Sequence, residues 1–326
     1  MSQASLFTVN RYSSKDFGLK ALVKIRAIKC FFRVTKRAVF RYDYEDHTYR
    51  LGMDYLTSFL GFPRRRVKLE SLEIAGMKAE WVTPDNLEND KVIMYIHGGA
   101  YNHGSIKSHR NITTRLALEC KCKVLAFEYR LAPEFPFPAA LEDAVKVYSY
   151  LRLSGVPAEK IIFCGDSAGG GLTLATLVRL RDNNIPLPMA AVCFSPWADL
   201  EASHPDAPKK LSKDPMIDIK AIRIWGKKYA DGMLQHPLAA PKYANFDNIC
   251  PVLIQVGEDE VLYYDTVSVL EKFNAAGVSY RVEQYEEMIH VFQMFAGFLP
   301  QADYSLNNVA TFIDEVSKLS LTSKIS

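Results

Sequence analysis

Gly165-Asp166-Ser167-Ala168-Gly169 fits the pattern G-x-S-x-G. A serine hydroxyl is a weak nucleophile at neutral pH. It attacks a carbonyl only when a base takes its proton and an acid orients that base. Five residues alone match by accident often enough to mean little, but their flanks make them specific. The apolar run Ile161–Cys164 precedes them, and a helical pattern starting at Gly170-Gly171-Leu172 follows. Strand, sharp turn and helix in that order form a nucleophile elbow. The competing reading, a glycine turn that cradles phosphate, lacks a lysine and the G-x-G-x-x-G register.

On such an elbow the chain order is serine, then acid, then histidine. Of the seven histidines only His204, His236 and His290 follow Ser167. The first two fall in an irregular insertion. His290 follows a β-type run, Tyr280–Tyr285, and is the expected base. The acid is expected after the run Val252–Val256, where Glu258, Asp259 and Glu260 compete and Asp265 is a fourth candidate. Spacing does not choose among them. Acyl transfer also needs N–H donors already aimed at the developing oxyanion. The strand Val92–Ile96 runs into His97-Gly98-Gly99-Ala100-Tyr101, so Gly98 and Gly99 are candidate donors, joined by Ala168 after the nucleophile. Tyr101, Trp197, Phe292 and Met294 are candidates for an apolar acyl pocket, though each residue type serves equally well in a core.

The elements that must position these residues alternate. Short β-type runs lie at Leu69–Ile74, Ala79–Val82, Val92–His97, Lys123–Tyr129, Ile161–Cys164, Met189–Phe194, Val252–Val256 and Tyr280–Tyr285. Helical patterns separate most of them. This predicts an α/β fold with a mostly parallel sheet covered on both faces and an antiparallel early edge. The expected divisions are an N-terminal helical cap segment over 1–68, a catalytic domain over 69–197 and 249–326, and a cap insertion over 198–248 with a helix at Ile217–Tyr229. Within the first segment, Arg26–Arg41 and Tyr49–Leu60 read as helices. In the former, Ile28, Phe31, Phe32, Val34, Ala38 and Val39 share an apolar face, opposite Arg26, Lys29, Arg33, Lys36 and Arg37.

The chain has 326 residues, 48% of them hydrophobic and 24% charged, which excludes disorder and low-complexity character. Six cysteines are too sparse for a disulfide scaffold, and Cys120-Lys-Cys122 has the wrong spacing for zinc, so reduced core thiols are expected. The start of the chain lacks the apolar run of a secretory signal, and no stretch approaches a membrane span; a soluble cytoplasmic protein is expected. The net charge of +3 is uneven: residues 1–68 carry +10 and the remainder −7. The basic helix Arg26–Arg41 has two readings, a cap helix with solvated cations or a surface helix that meets anionic lipid. No nucleic-acid reading motif accompanies the charge.

Taken together, these pieces resemble the hormone-sensitive-lipase-like (family IV) esterases of the α/β-hydrolase superfamily. The matching segments are His97-Gly98-Gly99, Tyr129–Glu134, Phe137–Asp143, Gly165–Gly170, Ser195-Pro196-Trp197 and His290-Val291-Phe292. The resemblance implies carboxylester hydrolysis without a cofactor, on a small-molecule ester of short to medium acyl chain or a lactone. It also implies a helical cap built partly from the N-terminus. The family's acid sits in an Asp-x-Leu pattern; here the aligned piece is Glu260-Val261-Leu262, so Glu260 is chosen, with Asp259 as fallback. The family's third glycine in the oxyanion turn is Ala100 here, which can still donate through its backbone. Rival readings are an amidase or peptidase with the same triad, or a small-molecule receptor. A homodimer stays open.

Overall fold

The computed structural model describes residues 7–39, 50, 52 and 64–323. Its strands are β1 (Phe7–Tyr12), β2 (Val67–Ile74), β3 (Met77–Pro84), β4 (Val92–Ile96), β5 (Lys123–Phe127), β6 (Ile161–Asp166), β7 (Ala190–Phe194), β8 (Val252–Gly257) and β9 (Tyr280–Tyr285). They form one sheet in the order β1-β9-β8-β7-β6-β4-β5-β3-β2. β3 pairs antiparallel with β2 and β5; every other neighbour pair is parallel. The helices are α1 (Gly18–Val39), α2 (Ile106–Cys120), α3 (Ala139–Leu153), α4 (Ala168–Asp182), α5 (Ile219–Ala230), α6 (Tyr263–Ala276) and α7 (Pro300–Ser323). This is the expected α/β-hydrolase architecture, mixed but mostly parallel. Among the described residues no helix is long and apolar enough to cross a membrane.

Every residue of β4, β6, β7 and β8 is buried, as strands covered on both faces must be. Side chains alternate between two cores. On one face Met94, Phe127, Phe163 and Leu174 pack together with α3 and α4 residues. On the other, Ile93, Tyr95, Ile162 and Phe194 pack with Ile112 and Leu116 of α2 and with Leu306, Val309 and Phe312 of α7.

Two features differ from the expectations for the N-terminal segment. Phe7–Tyr12 is a strand of the main sheet, paired in parallel with β9, rather than part of a helical cap. Its alternation is between exposed and half-buried residues, because an edge strand has one neighbour and little core to face. That weak pattern hides it in a polar stretch. Helix α1 also begins earlier than expected and buries a different face. Ala21, Ile25, Ile28 and Phe32 point inward, while Phe31 and Val34 are exposed and Lys29 is buried. The inward stripe continues toward the N-terminus through Ala21 and Ile25, ahead of the Arg26–Arg41 pattern. The helix expected at Tyr49–Leu60 lies outside the described residues, apart from positions 50 and 52.

Candidate active site

Ser167 sits between β6 and α4 with φ 52° and ψ −120°, a conformation that costs a non-glycine residue energy and holds its side chain proud of the turn. Backbone bonds pin it: Ser167 N–H donates to the Phe194 carbonyl at 2.8 Å, and Trp197 N–H donates to the Ser167 carbonyl at 2.9 Å. Glycine at 169 permits the close packing, since a Cβ there would lie 2.0 Å from the Ile96 carbonyl oxygen. The elbow and the end of β4 are thereby pressed together.

His290 lies in the loop after β9. Its Nε2 is 2.9 Å from Ser167 Oγ, and its Nδ1 is 2.5 Å from Glu260 Oε2. Glu260 is fully buried, and its other oxygen accepts the Gly257 N–H at 2.7 Å and the Ser195 hydroxyl at 2.8 Å. Burial works against a charged imidazole, but the charge and hydrogen bond of Glu260 outweigh it and hold His290 above its ordinary pKa. The other carboxylates of this region are engaged elsewhere. Asp259 binds Lys29 at 2.7 Å, with Lys213 at 3.8 Å. Glu258 pairs with Arg11. Asp265 accepts the N–H groups of Ala198 and Asp199, both at 2.8 Å, and burial pushes its pKa well up. The fallback Asp259 is therefore not the partner of His290.

The glycine turn after β4 carries positive φ at Gly99 (116°), Ala100 (53°) and Tyr101 (58°). Gly98 is not placed as a donor to substrate: its N–H bonds Asp166 Oδ1 at 3.0 Å. That oxygen also accepts the Tyr95 hydroxyl at 2.7 Å, and His109 Nε2 lies 3.3 Å from Oδ2. Burial alone would raise the Asp166 carboxyl, yet the facing His109, with Tyr95, holds it below its usual range. Gly99 and Ala100 line the cavity beside Ser167. Ala168 opens α4, where the first N–H groups lack an acceptor within the helix. His97 is buried and stacked on Tyr129, with a centroid separation of 4.3 Å. Burial, reinforced by His109, lowers its pKa to about 4, so it supports the turn as a neutral ring.

The cavity measures about 770 Å³, including space open to solvent. Its apolar wall is Met216, Ile217, Ala221, Trp225, Val291 and Met294. Of the four expected pocket residues only Met294 lines it. Tyr101 is buried against Tyr229, with rings stacked at 3.5 Å, and Trp197 packs behind it. Phe292 is buried on the opposite core against Tyr285. The missed wall residues come mainly from α5 and the segment leading into it; the amphipathic pattern of Ile219–Ala230, placed after the end of β7, was the signal available. Asp214 pins that segment to the acid's loop by accepting N–H groups from Met216 (2.8 Å), Ile217 (2.9 Å) and Val261 (2.8 Å).

Among known proteins, residues 93–294 match a family profile described as an α/β hydrolase fold. The acetyl-hydrolase of Streptomyces hygroscopicus is 38% identical over 236 residues, covering 72% of this chain and 79% of that protein. An esterase of Acinetobacter venetianus is 32% identical, covering 77% of this chain and 84% of its own length. A crystal structure of an esterase from the bacterial hormone-sensitive lipase family superposes with a TM-score of 0.85 at 34% identity, over 90% of this chain and 98% of that one. With the elbow, the serine–histidine–glutamate line and the glycine turn in one place, the chain belongs to the hormone-sensitive-lipase-like esterase family of the α/β hydrolases.

Proposed function

We propose that this chain hydrolyses carboxylic esters through an acyl-enzyme on Ser167. Ser167 Oγ attacks the ester carbonyl while His290 Nε2 takes its proton. Glu260 keeps the ring oriented and stabilises the imidazolium. The tetrahedral oxyanion is held by the N–H groups of Gly99, Ala100 and Ala168; each well-aimed donor is worth about 3 kcal/mol of transition-state stabilisation. His290 then gives its proton to the departing alcohol, and the carbonyl reforms as the C–O bond breaks. Water, deprotonated by His290, attacks the acyl-enzyme and releases the acid, returning Ser167 and His290 to their starting states.

The observation that carries this reading is the unbroken line from Ser167 Oγ through both ring nitrogens of His290 to Glu260, at 2.9 and 2.5 Å. The apolar cavity wall suits the acyl part of a small ester of short to medium chain. Segment 198–248 acts as a cap over it, with α1 tied on through Lys36, whose Nζ donates to the Ile217 carbonyl at 2.8 Å. The test is a panel of p-nitrophenyl esters, lactones and anilides with the wild type and Ser167→Ala. The expected result is ester turnover abolished by the substitution, with stoichiometric labelling of Ser167 by an organophosphate in the wild type only. Retained turnover in pure Ser167→Ala protein would overturn it.

A further inference from the structure

Helix α1 carries seven cations between Gly18 and Val39, Lys20, Lys24, Arg26, Lys29, Arg33, Lys36 and Arg37, and no carboxylate. Three of these are engaged with the rest of the fold. Lys29 pairs with Asp259, Lys36 donates to the carbonyls of Asp214 and Ile217, and Lys24 donates to the Phe298 carbonyl at 2.8 Å. Lys20, Arg26 and Arg33 are exposed. Between them runs an apolar stripe. Leu19 is 76% exposed, Val23 60% and Val34 77%, and Ala27 and Cys30 are exposed in line with them. At 100° per residue these five fall within about 80° of arc. Arg26 and Arg33 flank one side of that arc, and Lys20 and Lys24 the other. The inward face, Ala21, Ile25, Ile28 and Phe32, is already buried, so the stripe is a second apolar face.

Single exposed aliphatic side chains are ordinary. A row over four turns, bordered by cations on both sides, is the pattern of a helix that lies in a lipid–water interface. We propose that the outward face of α1 docks this protein on an anionic lipid surface. A second copy of the chain is a poorer occupant, because a two-fold contact on the stripe would set its flanking cations against those of the other copy. The charge split along the sequence agrees: residues 1–68, which include α1, carry +10 and the remainder −7, so attraction to an anionic surface is concentrated in the part of the chain that holds α1. Docking goes beyond the ester-hydrolase reading and does not depend on it. Lys36 links the two, since the segment it holds contributes Met216 and Ile217 to the cavity wall.

The test is flotation of the full chain with phosphatidylcholine vesicles, with and without phosphatidylglycerol, at low and high salt. Binding is expected only to the anionic vesicles and is expected to weaken with salt. Arg26→Gln/Arg33→Gln should lower the partition coefficient about fivefold per cation removed. Val23→Ser/Val34→Ser should lower it as well, with turnover of a water-soluble ester unchanged in both variants. That turnover also reports that the variants fold, and its absence in the wild type would count against the hydrolase reading alone. The proposal is overturned if the wild type does not bind anionic vesicles, if both folded variants bind like the wild type, or if the substitutions change the sedimenting mass and leave vesicle binding untouched.

Discussion

The Ser195 hydroxyl donates to Glu260 Oε1, the carboxylate oxygen that does not meet His290, at 2.8 Å. The same Oγ accepts the Val291 N–H at 3.2 Å. Val291 has φ 47°, an outlying conformation for a β-branched residue. One hydroxyl therefore fixes the acid and the backbone immediately after the base. Ser195→Ala is expected to lower kcat by about tenfold or more with KM little changed, since a hydrogen bond to a charged group is worth about 1.5–3 kcal/mol. Ser195→Thr should restore part of it. Steady-state kinetics on one soluble ester checks this, and an unchanged kcat in the alanine variant would remove Ser195 from the orienting role.

Neighbouring carboxylates should respond very differently to the same change. Glu260→Gln leaves His290 without its anion and is expected to cost on the order of 10⁴ in kcat. Asp259→Asn should leave kcat within about threefold, because Asp259 pairs with Lys29 and Lys213 and touches neither Ser167 nor His290; its cost falls instead on stability, since Lys29 is left buried without its partner. Equal losses in the two variants would show that the wrong acid has been assigned.

The base must be neutral to accept the serine proton. Because Glu260 raises the His290 pKa, the acidic limb of kcat/KM is expected above the ordinary imidazole value of about 6.5. Residual activity in Glu260→Gln should show that limb at lower pH. The stability term has the sign of a raised group: it is fully present below the unfolded pKa and is lost as pH rises through the folded one. A pH–rate profile on the free enzyme reads the first effect directly.

His97 has the opposite sign. Its folded pKa, about 4, lies below the unfolded value of about 6.5. Between those values the unfolded chain takes up a proton that the folded one refuses. Stability from this group is complete above about pH 6.5 and falls toward pH 4, by roughly 3 kcal/mol in all. Urea unfolding at stepped pH should show that decline, together with loss of activity as the glycine turn loosens. A flat curve over this window would contradict a neutral buried ring at position 97.

Trp225 and Ala221 are expected to set the acyl length accepted. Trp225→Ala should raise the ratio of octanoate to butyrate kcat/KM, by up to about fourfold for each added methylene that becomes buried. Ala221→Phe should lower it. Rates across a series of p-nitrophenyl esters test both, and a ratio unmoved by either change would place the acyl chain elsewhere.

Ser167 and His290 were legible because the elbow has a local pattern and the order of its partners along the chain is restrictive. The acid was not legible from spacing. Residues 258–260 lie in a loop without periodicity, and three consecutive carboxylates turn toward Arg11, Lys29 and His290 respectively. Only the family pattern pointed to Glu260. The glycine turn was legible as a unit, but not the division of labour within it, since Gly98 spends its N–H on Asp166. Pocket residues were the hardest, because aromatic side chains suit a core and a cavity alike. Tyr101 and Trp197 went to the core, and the wall came largely from aliphatic residues around α5.

The pairing of β1 with β9 has a consequence for how the chain matures. Phe7 meets Tyr280 and Tyr12 meets Tyr285, so β1 waits for a partner made more than 260 residues after it. Contacts so distant in sequence form slowly. Until β9 has been synthesised, Phe7–Tyr12 has no strand to join and must be kept from joining one of another chain.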